Sequence, residues 1–143
     1  MTGDFVFHHL GVACTDIEAE ALAWQAFGYS PESDVFVDET QGIRGRFYSG
    51  GGPRLELLEA HGGSQTLAPW LKRKAKIYHT GYLVPDLGQA ISTLEAQGAA
   101  VARAPALSSY FSAPIAFMIL SSLALVELIE ASVPASASPR NVF

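Results

Sequence analysis

Two histidines and two glutamates recur at almost the same spacing along this chain of 143 residues. His79 follows His9 by 70 residues, and Glu127 follows Glu56 by 71. Imidazole nitrogens and carboxylate oxygens are ligands that divalent Zn, Ni, Co, Mn and Fe ions accept. Two of each also leave room on the ion for water or a substrate. We therefore predict one divalent metal site made by His9, Glu56, His79 and Glu127.

The stretches around these residues repeat as well. His9 to Asp16 returns as His79 to Asp86, and Leu55 to Ala60 returns as Val126 to Ala131. A duplicated chain keeps apolar positions because they build the core, whereas we see no structural reason for it to keep polar ones. The repeat therefore predicts two copies of one module with a shared function for the polar residues.

Hydrophobic periodicity predicts that each module is β-α-β-β-β. The first helix begins after the N-cap Asp16, has an apolar face that includes Trp24 and Phe27, and ends at Gly28. Residues 105–112 of the second module read as a loop of small residues. The predicted fold class is α+β, with two tandem modules forming a curved mixed sheet in a single structural domain. The boundaries are 5–60 for the first module, 61–76 for a connector, 77–131 for the second module and 132–143 for a poorly ordered tail.

Alternation along the predicted strands decides which glutamates share a face with the apolar core. Glu127 lies in the middle of an apolar strand, where a carboxylate is costly to bury without a partner. A metal ion would be such a partner, and an arginine would be another. Glu59 and Glu130 also repeat, but they fall on the opposite strand face, so we predict that they are surface residues.

Bulk composition excludes several classes of protein. Hydrophobic residues make up 49% of the chain and charged residues 16%, as in a compact globular domain. The net charge of −5 argues against nucleic acid as a partner. The longest apolar stretch is interrupted by Pro114 and Glu127, so no membrane partner is expected. The only cysteine, Cys14, suits a reducing compartment, and we expect a cytoplasmic protein.

The order and spacing of these motifs resemble the vicinal oxygen chelate superfamily, and within it the methylmalonyl-CoA epimerases. The resemblance implies a divalent metal ion at the mouth of a curved sheet, where it stabilises an enolate. It also implies a small-molecule substrate, such as a CoA ester or another thioester, and a homodimer. The matching stretches are His9 to Ala13 with Asp16, Leu55 to Glu59, Ser64 to Leu71, Tyr78 to Gly81 and Val126 to Leu128.

The leading prediction is a metal-dependent epimerase or isomerase that transfers a proton next to a carbonyl group. Glu127 and Glu56 would move the proton from opposite sides. Tyr110 and Phe111 would cover the substrate. A carboxylate or a CoA phosphate would be held by Arg44, by Arg46 or by the lysine-rich cluster at 72–76.

Several alternatives remain open at the level of sequence. The epimerases carry a further catalytic glutamate in the segment that aligns with Gly42 to Phe47, and this chain has no carboxylate there. Glu56 stands where epimerases usually have glutamine, and the set His, Glu, His, Glu is also that of bacterial glyoxalase I. The alternatives are a glyoxalase I-type lactoylglutathione lyase, a metal-free binding protein of the bleomycin-resistance type, and an extradiol dioxygenase with Fe²⁺. The sequence names neither the substrate nor the metal, nor does it say whether one chain or a dimer builds the site.

Overall fold

A computed structural model describes residues 4–132 of the chain. These residues divide into two compact units. The N-terminal unit contains residues 9–78, and the C-terminal unit contains residues 4–8 and 79–132. The chain therefore changes unit between His8 and His9, inside its first strand, and again between Tyr78 and His79.

The N-terminal unit is a mixed sheet with two helices. Its strands lie in the order β2-β4-β5-β1, and β3 pairs with β4. Strand β1 is parallel to β5, while the pairings of β4 with β2, β3 and β5 are antiparallel. The elements are β1 (Val6–Ala13), α1 (Ile17–Gln25), β2 (Ser30–Pro31), β3 (Phe36–Asp38), β4 (Ile43–Ser49), β5 (Leu55–Ala60) and α2 (Ala68–Arg73).

The C-terminal unit repeats this plan. Its strand order is β6-β9-β8-β7, with β6 parallel to β9 and the other pairings antiparallel. The predicted α+β class, built from two related modules, is confirmed. The elements are β6 (Ile77–Val84), α3 (Leu87–Glu95), β7 (Ala100–Ser108), β8 (Ala113–Ile119) and β9 (Leu125–Glu130).

Each long helix packs its apolar side on one face of its own sheet. In α1, Ile17 and Ala21 are buried against Val12 and Leu57. In α3, Leu87 and Ala90 are buried in a cluster with strand residues that include Leu128. The predicted ligand histidines and glutamates therefore lie on the opposite face of each sheet.

Two carboxylates satisfy the first N–H groups of each long helix. Asp16 Oδ1 accepts a hydrogen bond of 3.0 Å from the N–H of Ala19, and Glu59 Oε1 accepts one of 2.8 Å from the N–H of Ile17. In α3 the same positions are taken by Asp86, 3.0 Å from Gln89 N, and by Glu130, 2.8 Å from Leu87 N. The prediction that Glu59 and Glu130 are surface residues is therefore wrong, because both are half-buried and bind a helix N-terminus.

Three elements differ from the sequence prediction. Helix α1 ends at Gln25, so Phe27 lies in the following turn and is 68% exposed instead of lying on a buried face. The short strand β2 was not predicted. Strand β7 continues to Ser108, so the predicted loop at 105–112 is strand over its first four residues. The predicted tail lies outside the described residues, apart from Ser132.

Candidate metal centre

The N-terminal unit holds the first histidine–glutamate pair on two neighbouring strands. In the parallel register of β1 and β5, Gly11 lies opposite Glu56, so no side chain from β1 stands beside the carboxylate. His9, two residues earlier on the same strand face, reaches it with Nε2 3.1 Å from Glu56 Oε1. His9 is fully buried, and Glu56 is 5% exposed. A buried carboxylate thus has an imidazole as its partner.

The C-terminal unit holds the second pair in the same arrangement. Gly81 of β6 lies opposite Glu127 of β9, and His79 Nε2 is 3.2 Å from Glu127 Oε1. Both side chains are buried. The two pairs are therefore equivalent in register, in contacting atoms and in burial, each within its own unit.

The donor atoms of each pair suit a metal ion. Around an ion with bonds of about 2.0–2.2 Å, adjacent ligand atoms lie about 3.0–3.5 Å apart, and the two pairs have separations of 3.1 Å and 3.2 Å. The same distances suit a hydrogen bond. Each of the four buried side chains offers one ligand atom of a type that divalent transition metals accept. The chemistry of the donor set therefore fits the predicted metal.

A phenylalanine that was not predicted as a site residue packs against each histidine. The ring of Phe47 on β4 lies 5.1 Å from the His9 ring at an angle of 83°, and the ring of Phe117 on β8 lies 5.2 Å from His79 at 89°. Phe47 is opposite Glu56 in register, and Phe117 is opposite Glu127. Their spacing of 70 residues is the same as that of the histidines and would have identified them.

The structure does not bring the two predicted substrate-binding arginines to the first pair. Arg44 and Arg46 alternate with Phe47 on β4, so they lie on the opposite face from His9 and Glu56. Arg44 Nη1 donates to Glu59 Oε2 at 2.9 Å, and Arg46 Nε donates to the carbonyl oxygen of Ser33 at 2.7 Å. Both guanidinium groups are therefore bound within the protein, on the face of the sheet against which the helix packs.

Tyr110 and Phe111, which were predicted to cover the substrate, differ in burial. Phe111 packs against a cluster that contains Phe117, so it lies on the same side of the C-terminal unit as the second pair. Its ring also lies 5.5 Å from that of His8, at 77°. Tyr110, with its ring 5.0 Å from that of Phe111, is 37% exposed. Phe111 thus lies on the same face of the sheet as the second pair, and Tyr110 packs against Phe111.

A sequence-family model matches residues 8–117, and its description is glyoxalase, bleomycin resistance protein and dioxygenase superfamily. The chain belongs to this superfamily. The predicted resemblance is therefore confirmed at the level of the superfamily. No curated protein sequence matches the chain.

Solved structures of methylmalonyl-CoA epimerases share the fold. The epimerase of Mycobacterium tuberculosis has a TM-score of 0.77 and 20% sequence identity, with 96% of each chain covered. A variant of the Streptomyces coelicolor epimerase, in complex with 2-nitronate-propionyl-CoA, has a TM-score of 0.74 and 23% identity. That match covers 91% of this chain and 99% of the other. At these identities the likeness shows the fold alone.

The face of β4 that carries Phe47 has no carboxylate, and position 45 on that face is crowded by neighbouring side chains. Ile43 and Gly45 share the strand face of Phe47. A Cβ atom added to Gly45 would lie 2.5 Å from Cζ of Phe36 and 3.1 Å from Cδ2 of Leu58. Phe36 in turn stacks on Phe47 with the ring centroids 5.8 Å apart. An aromatic pair therefore occupies the space that a side chain at position 45 would need.

Cys14 takes no part in this chemistry. Its Sγ donates to the carbonyl oxygen of Leu58 at 3.3 Å, and burial raises the pKa of the thiol from 9.0 to about 12. The thiol is therefore neutral at physiological pH and is neither a metal ligand nor a nucleophile. Among residues 4–132, no helix is long and apolar enough to cross a membrane.

Proposed function

We propose that the protein is a divalent-metal-dependent isomerase or epimerase that moves a proton on the carbon next to the carbonyl group of an acyl thioester. The observation that carries the proposal is the pair of buried histidine–glutamate contacts at equivalent positions of the two units. Buried carboxylates next to imidazoles are expensive to maintain, so their exact repetition favours a shared function.

In this proposal the four side chains bind one ion. The donor set is compatible with Co, Ni, Zn, Mn or Fe. Neutral imidazoles and ionised carboxylates are the forms that bind, so metal affinity should increase with pH.

When bound, the ion supplies a positive charge that favours the loss of a proton next to a carbonyl group. The carboxylates of Glu56 and Glu127 are the groups that accept and return that proton. Phe47 and Phe117 shield the two pairs from water, which strengthens the electrostatic interactions within each pair. Arg44 and Arg46 have no role in this mechanism, because they lie on the other face of β4.

The choice of an acyl thioester is supported by the structural neighbours. One of them is an epimerase bound to methylmalonyl-CoA and NH₄⁺, at 23% identity. We therefore choose acyl-CoA compounds as the first substrates to test.

The experiment is solvent deuterium exchange into acyl-CoA compounds, together with metal analysis of the purified protein. We expect Glu127→Gln to reduce exchange by about 10²–10⁴-fold, the usual contribution of a general base. Glu130→Gln is the matched control, because Glu130 lies on the same strand and binds a helix N-terminus. Unchanged exchange by a metal-loaded Glu127→Gln protein would show that this glutamate does not move the proton.

A glyoxalase I-type lyase is the second candidate, and the structure of β4 favours it. Because Phe36 occupies the space beside Gly45, the glutamates of the two pairs are left to move the proton. In bacterial glyoxalase I the ligand glutamates have that same role. Conversion of a glutathione hemithioacetal, without deuterium exchange into acyl-CoA compounds, would select this alternative.

A further inference from the structure

A polar cavity lies at one end of the N-terminal unit, away from the histidine–glutamate pair. Its volume is about 340 Å³, and it opens between the turn after β3 and the segment after β5. This volume falls in the range of small-molecule sites. Its polar side chains are those of Glu39, Thr40, Gln41, His61, Ser64 and Thr66.

Hydrogen bonds between the two walls hold the cavity in shape. Thr66 Oγ1 donates to the carbonyl oxygen of Gln41 at 2.6 Å, and the N–H of His61 donates to the carbonyl oxygen of Gly42 at 3.0 Å. Asp38 Oδ1 accepts from the N–H of Gln41 at 3.0 Å and closes the turn. A ligand would therefore meet a preformed site and would not have to order a loop.

The equivalent turn of the C-terminal unit has the same backbone and different side chains. Ser108 Oγ accepts from the N–H of Phe111 at 3.1 Å, as Asp38 does from Gln41. The N–H of Ser112 donates to the carbonyl oxygen of Ser108 at 2.8 Å, as Gly42 does to Asp38. The turn of the C-terminal unit carries Tyr110 and Phe111 at the positions where the turn of the N-terminal unit carries Thr40 and Gln41. The fold therefore does not require a polar turn in the N-terminal unit.

The lining selects uncharged polar groups. It offers hydroxyl groups, an amide and the imidazole of His61, whose Nε2 lies 2.9 Å from Glu39 Oε1. No lysine or arginine lines the cavity, and the carboxylate of Glu39 would repel a phosphate group. Gln41 Nε2 already donates to Asp38 Oδ2, and Thr66 Oγ1 donates to the carbonyl oxygen of Gln41. The lining therefore offers mainly oxygen acceptors, which the amide N–H and hydroxyl groups of a ligand can bind.

The cavity lies at a useful distance from the first pair. Strand β4 begins directly after the turn, with Ile43 opposite Ala60, and reaches Phe47 opposite Glu56 four residues later. Four residues of a strand span about 13 Å. A thioester with its carbonyl group at the pair has a chain of amide and hydroxyl groups that extends over such a distance.

We propose that this cavity binds the amide- and hydroxyl-bearing pantetheine arm of the acyl thioester, an inference that rests on the proposed function. The nucleotide end of CoA, with its phosphates, remains outside the cavity. The protein thereby recognises its substrate by the arm as well as by the acyl group.

Two adjacent glycines provide a matched test. Gly62 and Gly63 both have positive φ, +64° and +75°, and a Cβ at either position would meet nothing within 4 Å. Asparagine tolerates this backbone conformation better than other side chains. Only Gly62 lines the cavity, so Gly62→Asn places a side chain in it, whereas Gly63→Asn is the control.

The first measurement is the binding of free pantetheine by calorimetry or NMR titration. We expect the unaltered protein and Gly63→Asn to bind equally, and Gly62→Asn to bind about tenfold more weakly, as expected when one or two hydrogen bonds are lost. Equal affinity of the two variants, or no binding by the unaltered protein at millimolar pantetheine, would overturn the proposal.

The second measurement separates this inference from the proposed function. In deuterium exchange, Gly62→Asn should raise KM for an acyl-CoA about tenfold with kcat unchanged. KM for the truncated N-acetylcysteamine thioester should stay the same, and an equal rise for both substrates would contradict the role of the arm. A protein that binds pantetheine next to Gly62 and exchanges no proton would refute the proposed function alone.

Discussion

At the scale of single residues, the repeated polar positions have two different physical origins. His9, Glu56 and their counterparts face each other in buried pairs, whereas Glu59 and Glu130 bind the N–H groups at helix N-termini. The assumption that a duplication keeps polar residues only for function was therefore too strong. A repeated glutamate can be kept for a histidine pair or for a helix N-terminus, and the strand face on which it lies decides between the two.

Cys14 predicts a loss of stability at high pH. Because burial raises the pKa of its thiol from 9.0 to about 12 in the folded protein, folding favours the neutral thiol. The stability that this contributes is fully present below about pH 9 and is lost as the pH rises from there toward 12. Urea denaturation near pH 8 and near pH 10 should show a decrease for the unaltered protein, relative to Cys14→Ala. A Cys14→Ala protein with the same pH dependence would contradict this origin.

At the scale of elements, the carboxylates at the helix N-termini should determine how firmly α1 and α3 are attached to their sheets. Glu59 connects the end of β5 to Ile17, and Glu130 connects the end of β9 to Leu87. We expect Glu130→Gln to cost about 0.5–2 kcal/mol of unfolding free energy, as loss of a capping interaction does.

Glu59→Gln should cost at least as much, because Glu59 also binds Arg44. The exposed Glu95→Gln, at the last residue of α3, provides the control. Thermal unfolding checks the order of the three variants. Equal melting temperatures for Glu130→Gln and Glu95→Gln would show that the helix contact adds nothing.

Strands and long helices were predictable because each follows a single local pattern. The N-cap Asp16 and the alternation around Glu56 identified their elements correctly. The predicted end of α1 was wrong because the apolar residue Phe27 continues the helical spacing, although it lies in the turn after the helix. The length of β7 was missed because eight of its nine residues are exposed, so no alternation marks it.

The candidate site was predictable only in part, because strand register and not a local pattern places some of its residues. The ligand residues repeat and could be found by self-comparison, and so could Phe47 and Phe117. The roles of Arg44 and Arg46 depend on which face of β4 they occupy, and that follows from the register of Phe47 with Glu56. The polar cavity depends on two segments that are distant in sequence and that hydrogen bonds bring together.

At the scale of the whole molecule, a bound metal ion should stabilise the folded protein. An ion at 100 times its dissociation constant adds about 2.7 kcal/mol, which for a chain of this length is a shift of about 5–10 °C. Treatment with a chelator should lower the melting temperature of the unaltered protein by that amount and should have no effect on His79→Asn.

His61→Asn is the matched control for this measurement, because His61 lies in the half-exposed segment after β5 and pairs with Glu39. It should respond to the chelator like the unaltered protein. An unaltered protein that contains no metal and does not respond would support the metal-free binding protein of the bleomycin-resistance type.

The chain changes unit at His9 and again at His79, so the compact units do not coincide with the predicted sequence modules. The predicted modules are 5–60 and 77–131, whereas the compact units are residues 9–78 and residues 4–8 with 79–132. A cut in the connector would therefore free neither body intact, since the leading fragment would keep residues 4–8 that belong with its former neighbour.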